Sequence, residues 1–312
     1  MRAAVILGPG SSSRDLEVFQ DQKNIDWHIG MPDFTGHADV VLLFGGDGTV
    51  HRHLDRLVRL GLPLLVVPTG SGNDFARALG LLKLRDSIAA WQGFRAAHDN
   101  LRVIDLGLIQ PLDSAHTVPA SQEDPRNSIP ETRHFCCVAG VGLDAEVARR
   151  ANLQPRWLRG HGGYVLSLIP TILRFAPFPM KILTRSDVES PNSPENWIIR
   201  SDQPTILTAV ANTPTYGSGM KIAPHARLDD GLLDVCTVGG LDPFKLFCMF
   251  PTVYSGGHLK IAEVSYFQSR LLRVETEHPL DVYADGEYVC RTPVEISTHP
   301  GALRVIVHPS SP

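Results

Sequence analysis

The sequence predicts an α/β amino-terminal domain with a parallel, doubly wound sheet, followed by a mostly antiparallel β-sandwich domain. In the first hundred residues, short apolar runs are followed by glycine-rich turns and helical patterns, which is the order of a doubly wound sheet. Beyond about residue 100, short apolar runs are separated by Gly, Pro, Asn and Asp, as in antiparallel sheets. We therefore expect one domain over residues 1–101 and a second over residues 102–312, and leave open whether the last strand returns to the first domain.

The strands of the first domain are marked by continuous apolar runs, because a strand of a parallel sheet is buried on both faces. Its helices are marked by an apolar stripe beside charged residues, most clearly after the turn Gly45–Thr49. The predicted strands are Ala3–Leu7, Asp39–Phe44 and Leu64–Val67, and the predicted helices are Asp15–Gln20, the segment after Gly45–Thr49 and one from about Asn73.

The second domain shows short strand-like runs bounded by turn residues. Two polar stretches rich in Pro and Ser, Pro111–Glu131 and Ser186–Pro204, are predicted to be long, partly disordered hairpin loops. Between them, Gly162–Leu183 is interpreted as a core helix and an edge strand, with a surface element that dips into a bilayer as the alternative. The predicted strands are Arg102–Leu108, His134–Ala139, Thr205–Ala211, Leu232–Val238, Leu271–Glu275, Leu280–Tyr283 and Leu303–Val307.

Composition and charge narrow the class of protein. Of the 312 residues, 43% are hydrophobic and the net charge is −4, so the chain lacks the basic excess of a nucleic-acid-binding protein. The five cysteines show no CxxC spacing, which indicates neither a metal cage nor a disulfide framework. No run reaches the roughly 18 uninterrupted apolar residues of a membrane span. The opening MRAAVILGPG is typical of a first strand and its turn rather than of a signal peptide, so we expect a soluble, cytoplasmic protein.

The first candidate binding element is Gly45-Gly46-Asp47-Gly48-Thr49, at the junction of a predicted strand and a predicted helix. Glycines let a polyphosphate approach the backbone, and the start of a helix offers unpaired N–H groups and a favourable dipole. Asp47 does not attract phosphate, but its carboxylate suits Mg²⁺ or a sugar hydroxyl. Taken alone, the same residues are equally typical of a tight structural turn.

A second glycine-rich turn, Pro68–Arg77, also follows a buried strand and opens a helix. Parallel sheets bind ligands at the carboxyl edge of their strands, where both turns are expected. Ser71 can donate a hydrogen bond to a phosphate oxygen, whereas Asn73 and Asp74 are as well suited to capping the helix. Neither turn has the GxxxxGK[ST] pattern of a Walker loop, and the first does not read GxGxxG.

Together these motifs resemble the diacylglycerol kinase catalytic family, which also holds sphingosine, ceramide and related bacterial lipid kinases. The resemblance begins with GGDGT at residues 45–49 and PTGSGNDFARALG at residues 68–80, and it extends from about residue 39 to the end in the family's motif order. Several linked motifs are far more specific than either glycine turn alone. The later motifs are Val103–Gly107, Val141–Ala145, Val210–Ala226, Arg227–Val235, Gly257-His258, Ala284–Glu287 and Ala302–Val305.

The resemblance implies an ATP-dependent lipid kinase that uses Mg²⁺ and phosphorylates a hydroxyl of diacylglycerol or a related lipid. Asp285 takes the role of the general base, and Asp47 and Asp105 join it around the catalytic Mg²⁺. A carboxylate in that role is chemically reasonable, because an alcohol is a poor nucleophile until its proton is accepted. The implied nucleotide-binding residues are Gly45, Gly46, Asp47, Gly48, Thr49, Val50, Ser71, Gly72 and Asn73.

The resemblance also implies a separate, structural Mg²⁺ site in the LDDGLLD turn. There Asp230 would bind by its side chain, and Arg227 and Leu232 by their backbone carbonyls. Taken alone, the segments Asp285-Gly286 and Asp229-Asp230-Gly231 are both typical of simple turns. Only membership in the ordered set of motifs favours a role in chemistry or metal binding.

Four departures from the family pattern bear on substrate choice and rate more than on fold. The first strand ends in Gly8-Pro9-Gly10 rather than in an Asn-Pro-x-Ser-Gly-like loop. Cys137 stands where the family often has Asn, Ser218 where it has Gly, and His225 where an Asp is expected.

Two other functions are compatible with the sequence. A kinase for a soluble alcohol, such as an NAD kinase, shares the GGDGT-type loop but lacks the GSGNDFAR and LDDGLLD motifs. A catalytically silent nucleotide- or lipid-binding regulator would not need Asp285 as a base. For the leading hypothesis we expect ATP and a membrane lipid as partners, peripheral contact with the inner membrane face and no nucleic acid. Whether the chain forms a homodimer is left open.

Overall fold

The amino-terminal part of the protein is a parallel sheet with helices between its strands. The structure, a computed structural model, describes residues 1–20, 24–112, 132–153, 171–172, 175–185 and 197–309. The first four strands lie in the order β2-β1-β3-β4, all parallel to their neighbours. They are β1 (Arg2–Leu7), β2 (Asp26–Ile29), β3 (Val40–Gly45) and β4 (Leu64–Pro68), and the helices are α1 (Ser13–Glu17), α2 (Asp47–Leu60), α3 (Asp74–Ala78) and α4 (Leu84–Ala97).

The rest of the described chain is largely antiparallel. Its strands are β5 (Leu101–Pro111), β6 (Arg133–Phe135), β7 (Val138–Gly142), β8 (Phe178–Arg185), β9 (Trp197–Ala211), β10 (Leu233–Gly239), β11 (Val264–Ser269), β12 (Leu271–Thr276), β13 (Asp281–Ala284), β14 (Glu287–Arg291) and β15 (Val294–Ile306). Helices α5 (Leu143–Leu153) and α6 (Pro243–Met249) lie between these strands in the described part of the chain.

Strand β15 joins the two parts. It pairs antiparallel with β5, and near its end Val305 pairs in parallel with Leu64 of β4. The strands of the described residues therefore form one mixed sheet of 15 strands. The parallel arrangement before β5 and the antiparallel pairing after it confirm the predicted fold class.

Parts of the second domain differ from the prediction. Residues 197–204 belong to the 15-residue strand β9 and not to a loop. Here three apolar residues, Trp197–Ile199, are followed by the polar run Arg200–Gln203 with little burial, so neither an alternating pattern nor a long apolar run marks the segment as a strand. The predicted edge strand in Gly162–Leu183 is also wrong, because β8 pairs with β9 on one side and with β12 on the other.

Some predictions fall outside the described residues. The predicted loops over residues 113–131 and 186–196, and the helical face proposed between residues 162 and 170, therefore stay predictions. Within the described ranges, no helix combines the length and the apolar character that crossing a bilayer requires.

Candidate active site

The two glycine turns touch each other at the carboxyl edge of the parallel sheet. The ends of β3 and β4 are neighbours, and Gly45 pairs with Pro68. A Cβ on Gly70 would lie 2.5 Å from the Cα of Gly46, so the turns meet backbone against backbone. Because no side chain fits at that distance, glycine is required at the contact. The result is a bare backbone surface where two strands end.

Asp47, the first residue of α2, holds the second turn in place. Its Oδ2 accepts the N–H of Asp74 at 3.0 Å and its Oδ1 accepts the N–H of Phe75 at 3.0 Å, so this carboxylate caps the start of α3. Burial raises the pKa of Asp47 to about 6, and the charges of Asp74 and Asp285 act in the same direction. Asp47 is thus both a clamp between the turns and a carboxylate close to Asp285.

Asp74 connects α3 to the loop that carries the TPTYGSGM motif. Its Oδ2 accepts the N–H of Ser218 at 2.8 Å, and its Oδ1 accepts a hydrogen bond from Arg77 at 2.7 Å. Burial raises the pKa of Asp74. The sequence suggested helix capping for this residue, whereas its side chain in fact fixes a remote loop beside the glycine turns.

Asp285 enters the same region from the turn between β13 and β14. Its φ is +51°, in the left-handed region, and its side chain is fully buried. The carboxylate accepts the backbone N–H groups of Cys136 at 2.9 Å, Cys137 at 2.8 Å and Val138 at 3.3 Å. Nδ1 of His51 lies 3.1 Å from its Oδ2. Three backbone N–H groups and the ring of His51, from two distant segments, therefore fix the direction of this carboxylate.

These elements enclose an open cleft of about 420 Å³. Asp285 lines it together with six of the nine predicted nucleotide-binding residues. Two further residues add charge to the wall, the cation of Arg52 and the carboxylate of Glu287, and neither was given a role from the sequence. Arg52 lies three residues after GGDGT and Glu287 ends the motif Ala284–Glu287, so the motifs were the signal that could have found them. The six predicted residues are Gly46, Asp47, Gly48, Thr49, Ser71 and Gly72.

Three predicted nucleotide-binding residues do not line the cleft and shape it from behind. Val50 is fully buried in the core. The amide of Asn73 donates to the carbonyl oxygen of Gly70 at 2.6 Å and closes the second turn. Gly45 makes room for Thr49, since a Cβ on Gly45 would lie 2.6 Å from the Cβ of Thr49.

The structure does not bring Asp105 to the cleft with the other two predicted catalytic carboxylates. Its Oδ2 accepts the N–H of Gly231 at 2.7 Å, and its Oδ1 accepts the N–H of Gly301 at 2.8 Å. Asp105 is absent from the residues that line the cleft. This carboxylate instead fastens the turn before β10 to strand β15.

The LDDGLLD motif, predicted to hold the structural metal, runs into the start of β10 and contains three carboxylates, of which those of Asp230 and Asp234 share a partner. Oδ1 of Asp230 accepts the N–H of Leu232 at 3.0 Å. Nε2 of Gln268 lies 3.5 Å from Oδ2 of Asp230 and 3.2 Å from Oδ2 of Asp234. Asp234, which the sequence analysis did not single out, is buried, and this burial raises its pKa. The assignment of Arg227 and Leu232 as ligands stays a prediction.

A narrow apolar pocket adjoins the cleft. Its open volume is about 50 Å³, and it shares Asp144 and Tyr216 with the wall of the cleft. Helix α5 supplies Val147 to this pocket, and α6 supplies Leu246 and Met249. The pocket therefore lies next to the cleft, with Asp144 and Tyr216 in the wall of both.

The parallel sheet followed by an antiparallel sandwich defines a class, the kinases with the diacylglycerol kinase and NAD kinase-like fold. A family model described as the diacylglycerol kinase catalytic domain matches residues 17–109. A second one, described as the YegS C-terminal NAD kinase beta sandwich-like domain, matches residues 137–307 and agrees with the predicted sandwich. The chain belongs to the family of diacylglycerol kinases and YegS-like lipid kinases, and such a kinase implies ATP as the phosphate donor.

Curated relatives agree with this membership. The chain is 33% identical over 275 residues to a diacylglycerol kinase of Mycobacterium tuberculosis, covering 86% of this chain and 77% of the relative. It is 26% identical over 272 residues to a protein named "Probable lipid kinase YegS-like" of Pseudomonas aeruginosa, covering 86% and 76%.

Solved structures show the same fold. A diacylglycerol kinase from Bacillus anthracis superimposes with a TM-score of 0.66 at 21% identity, over 99% of this chain and 98% of that one. An NAD kinase from Archaeoglobus fulgidus in complex with ATP superimposes with a TM-score of 0.54 at 14% identity, over 99% and 94%.

Proposed function

We propose that this protein transfers the γ-phosphate of Mg-ATP to a hydroxyl group of diacylglycerol or a related lipid, with Asp285 as the general base. The observation that carries the proposal is a single cleft whose wall contains both the glycine turns and the Asp285 turn. A nucleotide on the glycine turns and a hydroxyl at the Asp285 turn would be neighbours, and phosphoryl transfer depends mainly on such positioning.

The glycine turns suit the phosphates of ATP. Gly46 and Gly70 let the two turns meet backbone against backbone, both line the cleft, and Ser71 adds a hydroxyl donor on the same edge. Arg52 adds a positive charge to this wall, which suits an anionic ligand. We therefore assign this half of the cleft to the nucleotide.

The carboxylates of the cleft suit Mg²⁺. Asp47, Asp285 and Glu287 all line it, and carboxylate oxygens are the ligands that Mg²⁺ prefers. When bound, Mg²⁺ neutralises phosphate charge and helps to hold the γ-phosphorus in line for attack. Carboxylates beside a triphosphate would otherwise repel it, so this donor set fits a cation-bound nucleotide.

In the proposed reaction Asp285 accepts the proton of the lipid hydroxyl as its oxygen attacks phosphorus. The backbone N–H groups of Cys136 and Cys137 cannot turn away from the carboxylate. The side chain of His51 can turn away, and a lipid hydroxyl that takes its place gains access to Oδ2 of Asp285. The two backbone hydrogen bonds keep the carboxylate aimed during this exchange.

We assign part of the lipid to the apolar pocket, because it lies next to the cleft and shares Asp144 and Tyr216 with its wall. Helix α6 lines it with Leu246 and Met249, while Phe244 and Phe247 on the same helix are 75% and 45% exposed. We propose that these two phenylalanines contact the bilayer, so that a cytoplasmic enzyme binds the inner membrane face peripherally.

We further propose that the turn at Asp230 holds a structural Mg²⁺, because the carboxylates of Asp230 and Asp234 share one donor there. Added Mg²⁺ should raise the melting temperature of the wild-type protein, and Asp230→Ala should remove most of that increase. Equal increases in both proteins would argue against a metal at this turn.

One assay tests the proposed reaction directly. The purified protein is incubated with radiolabelled ATP and Mg²⁺ together with mixed micelles of diacylglycerol, with NAD, or with buffer alone. We expect label only in the lipid. Label in NAD would indicate a kinase for a soluble alcohol, and no label in any sample would indicate a protein without kinase activity.

A further inference from the structure

Three metal-binding side chains converge behind the cleft. Sγ of Cys136, Sγ of Cys137 and a carboxylate oxygen of Asp285 all lie within 4.8 Å of one another. Two of the three ligands come from adjacent residues between β6 and β7, and the third comes from a turn almost 150 residues later. We call this group the Cys-Cys-Asp site.

Two of the three ligand pairs have the spacing of tetrahedral zinc coordination. The two sulfur atoms are 3.9 Å apart, and Sγ of Cys136 lies 3.4 Å from Oδ2 of Asp285. With Zn–S bonds of about 2.3 Å and a Zn–O bond of about 2.0 Å, tetrahedral angles require about 3.8 Å between sulfur atoms and about 3.5 Å from sulfur to oxygen. The third pair, Cys137 with Asp285, lies within 4.8 Å, so a cation can bind once this pair has approached the same spacing.

The ligands are also held as a unit and can be reached. The N–H groups of Cys136 and Cys137 donate to the carboxylate of Asp285, so the backbone that carries the thiols also orients the third ligand. Cys137 and Asp285 both line the cleft, so an ion can approach the site from the cleft. Cys136 donates its S–H to Oδ2, and a cation would take the place of that hydrogen.

We propose that the Cys-Cys-Asp site binds a thiophilic divalent cation such as Zn²⁺ and that this ion inhibits phosphate transfer. Each thiol gives its proton to the buffer as its sulfur–zinc bond forms, and water fills the fourth position. Thiolates favour Zn²⁺ over Mg²⁺, so Mg²⁺, which would share only the Asp285 carboxylate with this site, binds there far more weakly than Zn²⁺. The inhibition rests on the proposed role of Asp285, because the ion occupies the carboxylate that would accept the proton. Binding of the ion does not depend on that role.

Cobalt(II) is the probe for the site, because cobalt bound to thiolate gives a charge-transfer absorption in the near ultraviolet. All proteins carry Cys248→Ser, which removes the exposed thiol. We expect the absorption in this background, its loss in the Cys136→Ser/Cys137→Ser variant, and its retention in a Cys236→Ser/Cys290→Ser variant, whose thiols are buried elsewhere. No absorption in the background protein, or full absorption after loss of Cys136 and Cys137, would overturn the proposal.

A second measurement needs no variant at the site. Alkylation of the cysteines in the Cys248→Ser protein is followed by mass spectrometry with and without one equivalent of Zn²⁺. We expect Zn²⁺ to slow modification of Cys136 and Cys137 but not of Cys290. Equal protection of all buried cysteines would indicate general stabilisation and would contradict a site.

The activity arm uses lipid phosphorylation at saturating Mg-ATP. We expect Zn²⁺ to abolish it, and the double serine variant to need more than about 100-fold more Zn²⁺, since loss of a mere outer-shell partner costs ~10- to 100-fold in affinity. Cobalt binding without inhibition by Zn²⁺ would contradict the regulatory claim. Cobalt binding in a protein that labels no lipid would refute the proposed function but support the metal site. Lipid kinase activity without cobalt absorption or thiol protection would support the proposed function and refute the metal site.

Discussion

Asp47 and Asp285 are both held by backbone N–H groups, but each is held by a different part of the chain. Asp47 accepts its two hydrogen bonds from the start of α3, and Asp285 accepts its own from the segment around Cys136. A substitution at either position therefore removes a charge and loosens an anchor at once. Experiments that separate chemistry from folding need the smallest change, from carboxylate to amide.

Asp285→Asn should lower kcat by about 10²- to 10⁴-fold with little change in KM for ATP, because an amide cannot accept the proton. Its NH₂ group must also face a backbone N–H of Cys136 or Cys137, which costs about 1–3 kcal/mol of stability. Steady-state kinetics and thermal melting measure the two effects separately. Asp281→Asn is the control, because its exposed ion pair with Arg291 lies on the same hairpin. A wild-type kcat in Asp285→Asn would exclude it as the base.

At the scale of elements, the contact between the two glycine turns decides whether ATP has a surface to bind. Gly70→Ala would put a methyl group 2.5 Å from the Cα of Gly46 and push β3 and β4 apart at their ends. We expect KM for ATP to rise at least about tenfold, since a displacement of about 1 Å can cost a hundredfold.

Gly61→Ala is the matched control for that experiment. Gly61 ends α2 with a φ of +62°, but nothing lies within 4 Å of an added Cβ. The substitution should cost about 1 kcal/mol of stability through backbone strain and leave KM for ATP unchanged. If both variants raise KM equally, loss of stability rather than contact between the turns explains the effect.

A second joint between elements links α2 to β6 and so supports the segment that holds Asp285. The carboxylate of Asp55 accepts the N–H of His134 at 3.1 Å and lies 2.8 Å from its Nδ1. Arg133 donates to the same carboxylate at 3.1 Å. Burial acts to raise the pKa of Asp55, but the hydrogen bonds of His134 outweigh it and lower the pKa to about 2.

This pKa predicts how the joint depends on pH. The unfolded chain binds a proton at Asp55 with an ordinary pKa of about 3.9, so the stabilisation is fully present above that pH and is lost as pH falls toward 2. Asp55→Asn should reduce the free energy of unfolding by on the order of 1 kcal/mol at pH 7, after allowance for solvent screening. The difference from wild type should stay constant down to about pH 5 and narrow below about pH 4.

Urea denaturation across this pH range measures the difference. Asp33→Asn is the control, because Asp33 pairs with Arg56 but its side chain is 81% exposed, and such pairs contribute little. A difference that already disappears near neutral pH would show that the carboxylate of Asp55 is not its source.

At the scale of the whole molecule, local pattern predicted the glycine-turn half of the cleft. Buried parallel strands are continuous apolar runs, so β3 and β4 and the turns after them were visible, and the edge they share follows from the sheet. The position of Asp285 could not be derived in that way. Its hairpin looks like any Asp-Gly turn, and only the family resemblance suggested a catalytic role.

What local pattern could not show depends on long-range pairing. Asp105 was expected at the cleft, but Gly231 and Gly301 hold it elsewhere, and no local pattern shows those partners. Cysteine spacing gave no sign of the proposed Cys-Cys-Asp site, because spacing rules consider only sequence neighbours. Asp285, its proposed third ligand, reaches Cys136 and Cys137 only through the pairing of β13 with β7.

The orientation of the whole molecule on a bilayer gives the last prediction. Phe244→Glu/Phe247→Glu should lower phosphorylation of diacylglycerol in vesicles at least about tenfold, because each buried phenylalanine is worth about 1.5–3 kcal/mol. A water-soluble, short-chain diacylglycerol needs no bilayer contact, and its phosphorylation should stay within about twofold of wild type. Phe34→Glu is the control, because this phenylalanine is 57% exposed but lies in the amino-terminal part, away from the apolar pocket. Equal losses on both substrates would mean that α6 supports folding or the cleft itself, and an equal loss in Phe34→Glu would mean that no particular face meets the membrane.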